Sequence, residues 1–301
     1  MAKRRPPTVH GLALIDKPAG MTSHDVVSRL RKKLNERRIG HAGTLDPDAT
    51  GVMVIGVGYV TRLMQFLSGM DKTYICEVVF GSETNTLDDS GTVTATFEMG
   101  ELTLDAVRAA AAKLTGPILQ VPPMVSALKV DGKRLHEYAR EGVEIERKAR
   151  PVHISRFDVE ATDDPLVYRM SVECSSGTYV RTLADDLGRL LGGGAHLRRL
   201  RRTRVGRFTE QMTSALESPQ LLSEVGLVEH LARVDLDAET ADRALHGAML
   251  PVDEALGWVG DGPWSVYGPN DLLLGVYEPT ASQTGLGLTL AKPTVVIAFS
   301  G

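Results

Sequence analysis

Cysteine is nearly absent from this chain: Cys76 and Cys174 are the only two in 301 residues. Two thiols exclude a disulfide-stapled scaffold and a cysteine-rich zinc module, and they fit a reducing compartment. Long hydrophobic runs are missing too. No stretch approaches the roughly 18 apolar residues that a membrane span needs, and no signal-like apolar stretch follows the basic start Met1-Ala-Lys-Arg-Arg-Pro-Pro. The expectation is a soluble, cytoplasmic protein. Positive charge is scarce in the last third: residues 211–301 carry 3 basic and 12 acidic side chains, a net −9, whereas residues 1–210 carry 31 and 26, a net +5. The overall charge of −4 alone argues against a polyanion partner; its uneven distribution predicts two domains with different jobs. What is present, 43% apolar and 24% charged residues, is the composition of a globular protein with room for a large core.

Periodicity outlines the elements. Behind Thr22 and Ser23, the residues Val26, Val27, Leu30 and Leu34 fall on one face of a helix. A second helix is predicted from about Leu104 to Leu114, capped by Thr103 and stopped by Gly116-Pro117. Leu166 to Cys174 alternates as a strand, a turn at Ser175-Ser-Gly-Thr178 follows, and a helix carries Val180, Leu183, Ala184, Leu187 and Leu191 to its stop at Gly192-Gly-Gly. Shorter strands are expected at Ile75–Phe80, Thr92–Phe97 and Val152–Asp158. Between Pro122 and Arg150 a run rich in Lys, Arg and Glu reads as an exposed insert. Ser214–Leu231 reads as helix or linker, and from about Asp235 a small β-rich module closes the chain, with strands at Leu272–Tyr277 and Thr294–Phe299. The fold class is α+β.

The most unusual segment is Gly40-His41-Ala-Gly-Thr-Leu-Asp46-Pro-Asp48-Ala-Thr-Gly51, followed at once by the apolar Val52-Met-Val-Ile-Gly-Val. Its glycines, proline and polar residues predict a loop on a buried strand, where reactive groups are commonly presented. Taken alone, it also reads as a turn whose aspartates cap backbone amides. His41, Asp46 and Asp48 match no metal motif by spacing.

This loop meets every fixed position of Gly-His-x-Gly-x-Leu-Asp-Pro-x-Ala-Thr-Gly, and so resembles the catalytic motif of the TruB family, bacterial tRNA pseudouridine synthases that modify the T-loop uridine at position 55. Asp16-Lys17-Pro-Ala-Gly-Met-Thr-Ser23 is similar to the family's N-terminal signature. Lys72-Thr-Tyr74 with Phe80-Gly81, and Cys174-Ser-Ser-Gly-Thr-Tyr179-Val-Arg181, are similar to its next two motifs. Gln120-Val-Pro-Pro-Met-Val-Ser126-Ala-Leu-Lys129 and the Arg198–Phe208 run match as well, in the family's order over most of residues 10–210.

The resemblance implies a pseudouridine synthase core with a mixed, largely antiparallel sheet and flanking helices over residues 1–234, a thumb insert at about 122–150, and a PUA-like β module at 235–301. It implies Asp46 as nucleophile, Arg181 as its ion-pair partner, Tyr74 as stacking residue and general base, and His41, Tyr179 and Leu200 as substrate-binding residues. The base must be flipped out of its stack to be reached. The isomerisation involves no net redox change and needs no metal or other cofactor, only an ionised carboxylate beside a cation. Attack at C1′ and attack at C6 of the uracil both remain open. RNA grip is expected from Lys17, from Lys129 in the insert, and from Arg198, Arg199, Arg201, Arg202 and Arg204 in a run that contains no acid. His136 stands where the family's thumb is expected to carry a tyrosine. The implied partner is the T-arm of tRNA, met by a monomer with no obligatory protein partner and no membrane. A tRNA-binding folding factor with secondary catalysis, or a synthase for a uridine in another RNA, are the alternative readings.

Overall fold

The computed structural model describes residues 6–67, 69–126, 128–130, 132–283 and 289–297. The large sheet is built from β1 (Gly11–Lys17), β2 (Ile39–Ala42), β3 (Thr50–Val57), β4 (Lys72–Phe80), β5 (Gly116–Gln120), β6 (Arg150–Ala161), β7 (Val167–Cys174) and β8 (Ala195–Val205). From one edge its order is Leu221–Leu222, β1, β3, β8, β4, β7, β6, β5, with β2 added beside β3 and Phe208–Thr209 beside β8. Every pairing in this sheet is antiparallel except β3 with β8. The mixed, largely antiparallel α+β core expected from the motifs is therefore present.

Local sequence explains the elements that position the site. β3 is apolar at nearly every position because both of its faces are covered, as its burial from Gly51 to Val57 shows. β7 alternates, with Tyr168, Met170, Val172 and Cys174 buried and Arg169 exposed. Helix α1 (Ser23–Lys33) starts at a capping box in which Thr22 and Asp25 satisfy each other's backbone amides. Thr103 caps α2 (Leu104–Lys113), and the short α3 (Leu135–Arg140) follows the hairpin Lys129–Val130/Lys133–Arg134 in the insert. Helix α4 (Val180–Leu190) lays Leu183, Ala184 and Leu187 on the sheet.

Three readings are corrected. The loop expected from Gly40 to Gly51 shrinks to Gly43–Ala49, because its flanks pair as β2 and β3. Ser214–Leu231 is neither helix nor free linker; it holds the short strand Leu221–Leu222 on β1 and a 3-10 turn at Glu224–Leu227. The last strand begins earlier than expected and is described to Val296, with Ala298 and Phe299 of the expected strand outside the described residues.

The second sheet contains β9 (Ala232–Asp235), β10 (Leu250–Pro251), β11 (Trp264–Gly268), β12 (Leu272–Gln283) and β13 (Thr289–Val296) in the order β9, β11, β12, β13, β10, with α5 (Ala238–Leu245) against it. Trp258 packs edge-to-face on both Trp264 and Tyr277 in its core. Tyr267, Leu273, Val276, Val295 and Ile297 join Leu12, Leu14, Val54 and Leu63 of the body in one continuous apolar cluster. No helix among the described residues is long and apolar enough to cross a membrane.

Candidate active site

The short loop between β2 and β3 is held by groups that arrive from far along the chain. Lys17, the last residue of β1, is completely buried, and its ammonium donates to the carbonyls of Pro18 (2.9 Å), Pro47 (2.8 Å) and Ala49 (2.6 Å). Ser23 closes a second clamp, its hydroxyl accepting from Leu45 N–H and donating to Leu45 C=O. On the other side Arg202, 1% exposed, donates from Nε to Val52 C=O at 2.8 Å and from Nη2 to Gly43 C=O at 3.2 Å. The parallel contact of β3 with β8 is so close at Gly51 that a Cβ there would lie 2.2 Å from Arg202 O, and Gly51 also has φ +103°. Only glycine suits that position.

Asp46 projects from this clamped loop. Arg181, 5% exposed on the first turn of α4, meets it side-on, with Nε in ionic contact with Oδ2 at 3.0 Å and Nη2 donating to Oδ1 at 3.2 Å. The same guanidinium lies 3.5 Å from Asp88 and donates to Thr86 C=O (2.9 Å) and Val125 C=O (2.8 Å). Desolvation pushes the Asp46 carboxyl above the ordinary aspartate range; Arg181 acts against this, and Asp88 adds to it. The result is a carboxylate fixed in direction by a side-on guanidinium.

A cavity of about 600 Å³ opens over this pair. Its walls include Asp46, Arg181, Tyr74, His41, Tyr179 and Leu200, so the six residues expected to react with or bind the base are drawn from four separated segments into one space. Tyr74 is 7% exposed on β4 and stands opposite Arg202 in the register. Burial pushes its phenol above the ordinary tyrosine range, and the Arg202 charge opposes that shift. His41 is kept neutral by burial and by Arg202, and its Nδ1 has no hydrogen-bond partner among the described residues. The Asp46–Arg181 pair, Lys72 and Arg202 share this space with the aromatic rings of Tyr74 and Tyr179 and with apolar groups, and it is large enough to admit an extruded nucleoside.

The cations meant to grip RNA are arranged differently from the expectation. Lys17 and Arg202 turn inward and support the loop, so neither has a surface to offer a phosphate. The arginine run is the strand β8, and although it contains no acid itself, acids reach it from other segments. Arg198 and Arg199 share Glu77, Arg201 holds Asp16 and Glu210, Arg204 holds Glu173, and Arg207 holds Glu229. Sequence proximity missed this compensation because the partners lie up to 185 residues away. Lys129 is exposed on the insert hairpin; the side chain of His136 lies outside the described residues.

Residues not singled out from sequence complete the site. Asp88, in an unremarkable loop, is a second carboxylate on Arg181. Lys72 lines the cavity, its Nζ donating to Met70 C=O at 2.8 Å, and Gln120 bonds the backbone of Tyr179, which also lines it. Arg38 and Arg62 each lie 5.5 Å from the ring centre of Tyr59, which stacks on His10, and neither arginine pairs with a carboxylate among the described residues. The 3-10 segment Gly58–Leu67 runs from this cluster to Met64 and Gln65 at the cavity. Arg37-Arg38 was a visible basic pair, but nothing in the sequence placed it beside Tyr59.

Known proteins share this arrangement of sequence and fold. Residues 31–180 match the N-terminal domain of the TruB family pseudouridylate synthases, and residues 181–257 match the tRNA pseudouridylate synthase B C-terminal domain. tRNA pseudouridine synthase B of Mycobacteroides abscessus is 47% identical over 250 residues, 80% of this chain and 84% of that one. The protein of the same name from an Arthrobacter species is 40% identical over 306 residues, 96% of this chain and 97% of that one. A chain in the solved structure of an H/ACA ribonucleoprotein bound to a substrate RNA containing 2′-deoxyuridine has a TM-score of 0.71 at 23% identity, covering 96% of this chain and 85% of that chain, a likeness of fold. Two matched domains in sequence and a relative aligned almost end to end establish that this chain belongs to the TruB family of pseudouridylate synthases.

Proposed function

We propose that this protein isomerises the T-loop uridine of tRNA, position 55, to pseudouridine. The observation that carries the reading is the Asp46 carboxylate ion-paired with a buried Arg181 in the wall of a cavity that can admit a nucleoside. The reaction breaks C1′–N1, turns the uracil and joins C1′ to C5, so it exchanges bonds without a net redox change. It requires an ionised nucleophile, a surface to hold the base while it is detached, and a group to take the C5 proton. Asp46 supplies the first. Tyr179 and Leu200 line the space as walls for the flipped base, His41 stands at the cavity as a neutral partner for the extruded state, and Tyr74 stacks on the uracil and serves as general base. Flipping costs a few kcal/mol and is easiest from a loop, which favours a T-loop over a duplex target.

RNA grip is assigned to Lys129 and to the exposed Arg38 and Arg62 around Tyr59, with a smaller share for Arg198, Arg199, Arg201 and Arg204, whose charges are already balanced. A cation that already faces a carboxylate releases few counterions when phosphate arrives. Replacing Arg38 and Arg62 together by alanine should therefore flatten the dependence of log K on log salt by roughly 1.4, at about 0.7 per single-strand phosphate contact. Replacing Arg198 and Arg199 should change the slope by less than half as much. Filter binding across a salt series measures both, and equal slopes in the two variants would reject this division. Residues 235–301, which hold all of the second sheet except the start of β9, are read as a PUA-like module on a catalytic body of residues 1–234, and the protein as a cytoplasmic monomer. With three basic residues after position 210, the module's role is better served by packing on the body than by phosphate contact.

Modification mapping of RNA incubated with the purified protein tests the whole reading. A single new pseudouridine at position 55 of tRNA is expected. A modified uridine in another RNA would move the substrate, and tRNA binding without any pseudouridine would favour a folding factor.

A further inference from the structure

Gln120 is the last residue of β5, where the chain leaves the sheet for the insert, and it is 2% exposed. Its amide grips one residue on both sides. Oε1 accepts from Tyr179 N–H at 2.7 Å, and Nε2 donates to Tyr179 C=O at 3.1 Å. Tyr179 is the residue from which α4 starts, and it caps the helix with no side-chain bond of its own. Two residues further on stands Arg181. The first residues of the insert touch the same helix end: Val121 C=O accepts from Thr182 Oγ1 at 3.5 Å, and Val125 C=O accepts from Arg181 Nη2 at 2.8 Å.

We propose that Gln120 is a positioning residue, which by holding Tyr179 at the head of α4 sets the Arg181 guanidinium against Asp46 and ties that pair to the root of the insert. The inference rests on the reading of Asp46 and Arg181 as the reacting pair. Its physical basis is the pair of bonds, one in each direction, to a single peptide group pair. A buried amide satisfied in this way fixes both the height and the rotation of the helix start, and a small rotation there is amplified along the long Arg181 side chain. The backbone bond from Val125 then reaches the same guanidinium from the insert side, so an RNA that docks on the insert bears on the orientation of the catalytic cation.

Two variants test this in the full-length protein with T-arm RNA. Gln120→Met is uncharged and of similar size, and removes both bonds. It is expected to lower the single-turnover rate of pseudouridine formation at saturating RNA by about tenfold or more, with RNA affinity within about threefold of wild type and an unchanged far-UV circular dichroism spectrum. Gln120→Glu keeps the acceptor for Tyr179 N–H. When ionised, it places a second oxygen against Tyr179 C=O; when protonated, it restores the lost donor. Its rate divided by the wild-type rate at the same pH should rise as pH falls from about 8 to about 6, and the division removes any titration of Asp46 itself. A residue that only fills space would leave that ratio flat. The proposal is overturned by a wild-type rate in Gln120→Met, by a loss confined to RNA affinity, or by a pH-independent Gln120→Glu ratio. Asp46→Asn, run alongside, separates the two levels: if it is active, the reacting pair itself is wrong, and if it is inactive while Gln120→Met is unimpaired, only the role given to Gln120 is wrong.

Discussion

Asp46→Asn is expected to reduce pseudouridine formation by about four orders of magnitude or more, as loss of a nucleophile does. The substitution is nearly isosteric, and the guanidinium it faces is not abandoned, because Arg181 keeps Asp88, Thr86 C=O and Val125 C=O. RNA affinity should therefore stay within a few-fold of wild type. Stability adds a second readout whose sign can be worked out. The folded Asp46 carboxyl titrates above its ordinary value, chiefly through desolvation. The folded state thus binds its proton more readily than the unfolded chain, and ionisation of Asp46 at neutral pH detracts from stability. The neutral variant should melt no lower than wild type at pH 7. The same shift predicts that wild-type activity falls on acidification through a pKa above the usual aspartate value. Tritium release from C5-labelled tRNA, followed with and without the substitution, measures the loss; release at the wild-type rate would remove Asp46 from the mechanism.

The second large effect concerns a residue with no exposed surface, Lys17. Lys17→Met takes one ammonium from three backbone carbonyls, two of them on the reactive loop. Leaving buried acceptors unsatisfied costs about 1–3 kcal/mol each. We expect a loss of stability of about 3 kcal/mol or more, and a rate loss of at least about 100-fold in whatever fraction remains folded, since Asp46 loses its fixed aim. Burial pushes the Lys17 pKa down to about 8, against the pull of Asp48 and Asp46. Above that pH the neutral amine keeps only two donors for three carbonyls, so wild-type activity should decline on the basic side. Stability moves the other way: between about 8 and 10.5 the unfolded lysine holds a proton that the folded one has released, so this group's contribution rises with pH. A basic limb in the rate profile without a matching drop in melting temperature identifies Lys17. Thermal melts and single-turnover rates of both proteins across pH 7–9.5 are the measurements.

The reactive loop was legible because its residues are chemically unusual as a group, and the resemblance supplied the distant residues of the cavity. Helices α1 and α2 were legible because their caps and apolar spacing act locally, and α4 because its apolar spacing and the glycines that stop it do. What failed was the environment of individual cations. Lys17 follows the apolar Leu12-Ala-Leu-Ile-Asp, and nothing in that string tells a lysine bound for the surface from one folded under a loop. The arginines of β8 looked uncompensated because an antiparallel sheet assembles its charge partners across strands, not along them. Asp88 carries no signal of its own in a single sequence, and although Gln120 opens a matching motif, nothing in that motif tells which backbone its amide will grip.

The one parallel pairing in the large sheet also bears on when the enzyme can begin to work. Arg202 supports the Asp46 loop through bonds to Val52 and Gly43, which span 150 and 159 residues of chain. A ribosome synthesising this protein releases Asp46, the proposed nucleophile, early but withholds the Arg202 support until two-thirds of the message has been read. Such long-range closure is slow relative to local helix formation. A nascent or truncated chain ending before β8 therefore carries Asp46, Arg181, Lys17 and Ser23 but lacks the Arg202 bonds on the far side of the loop, and these arrive last, with the arginine strand.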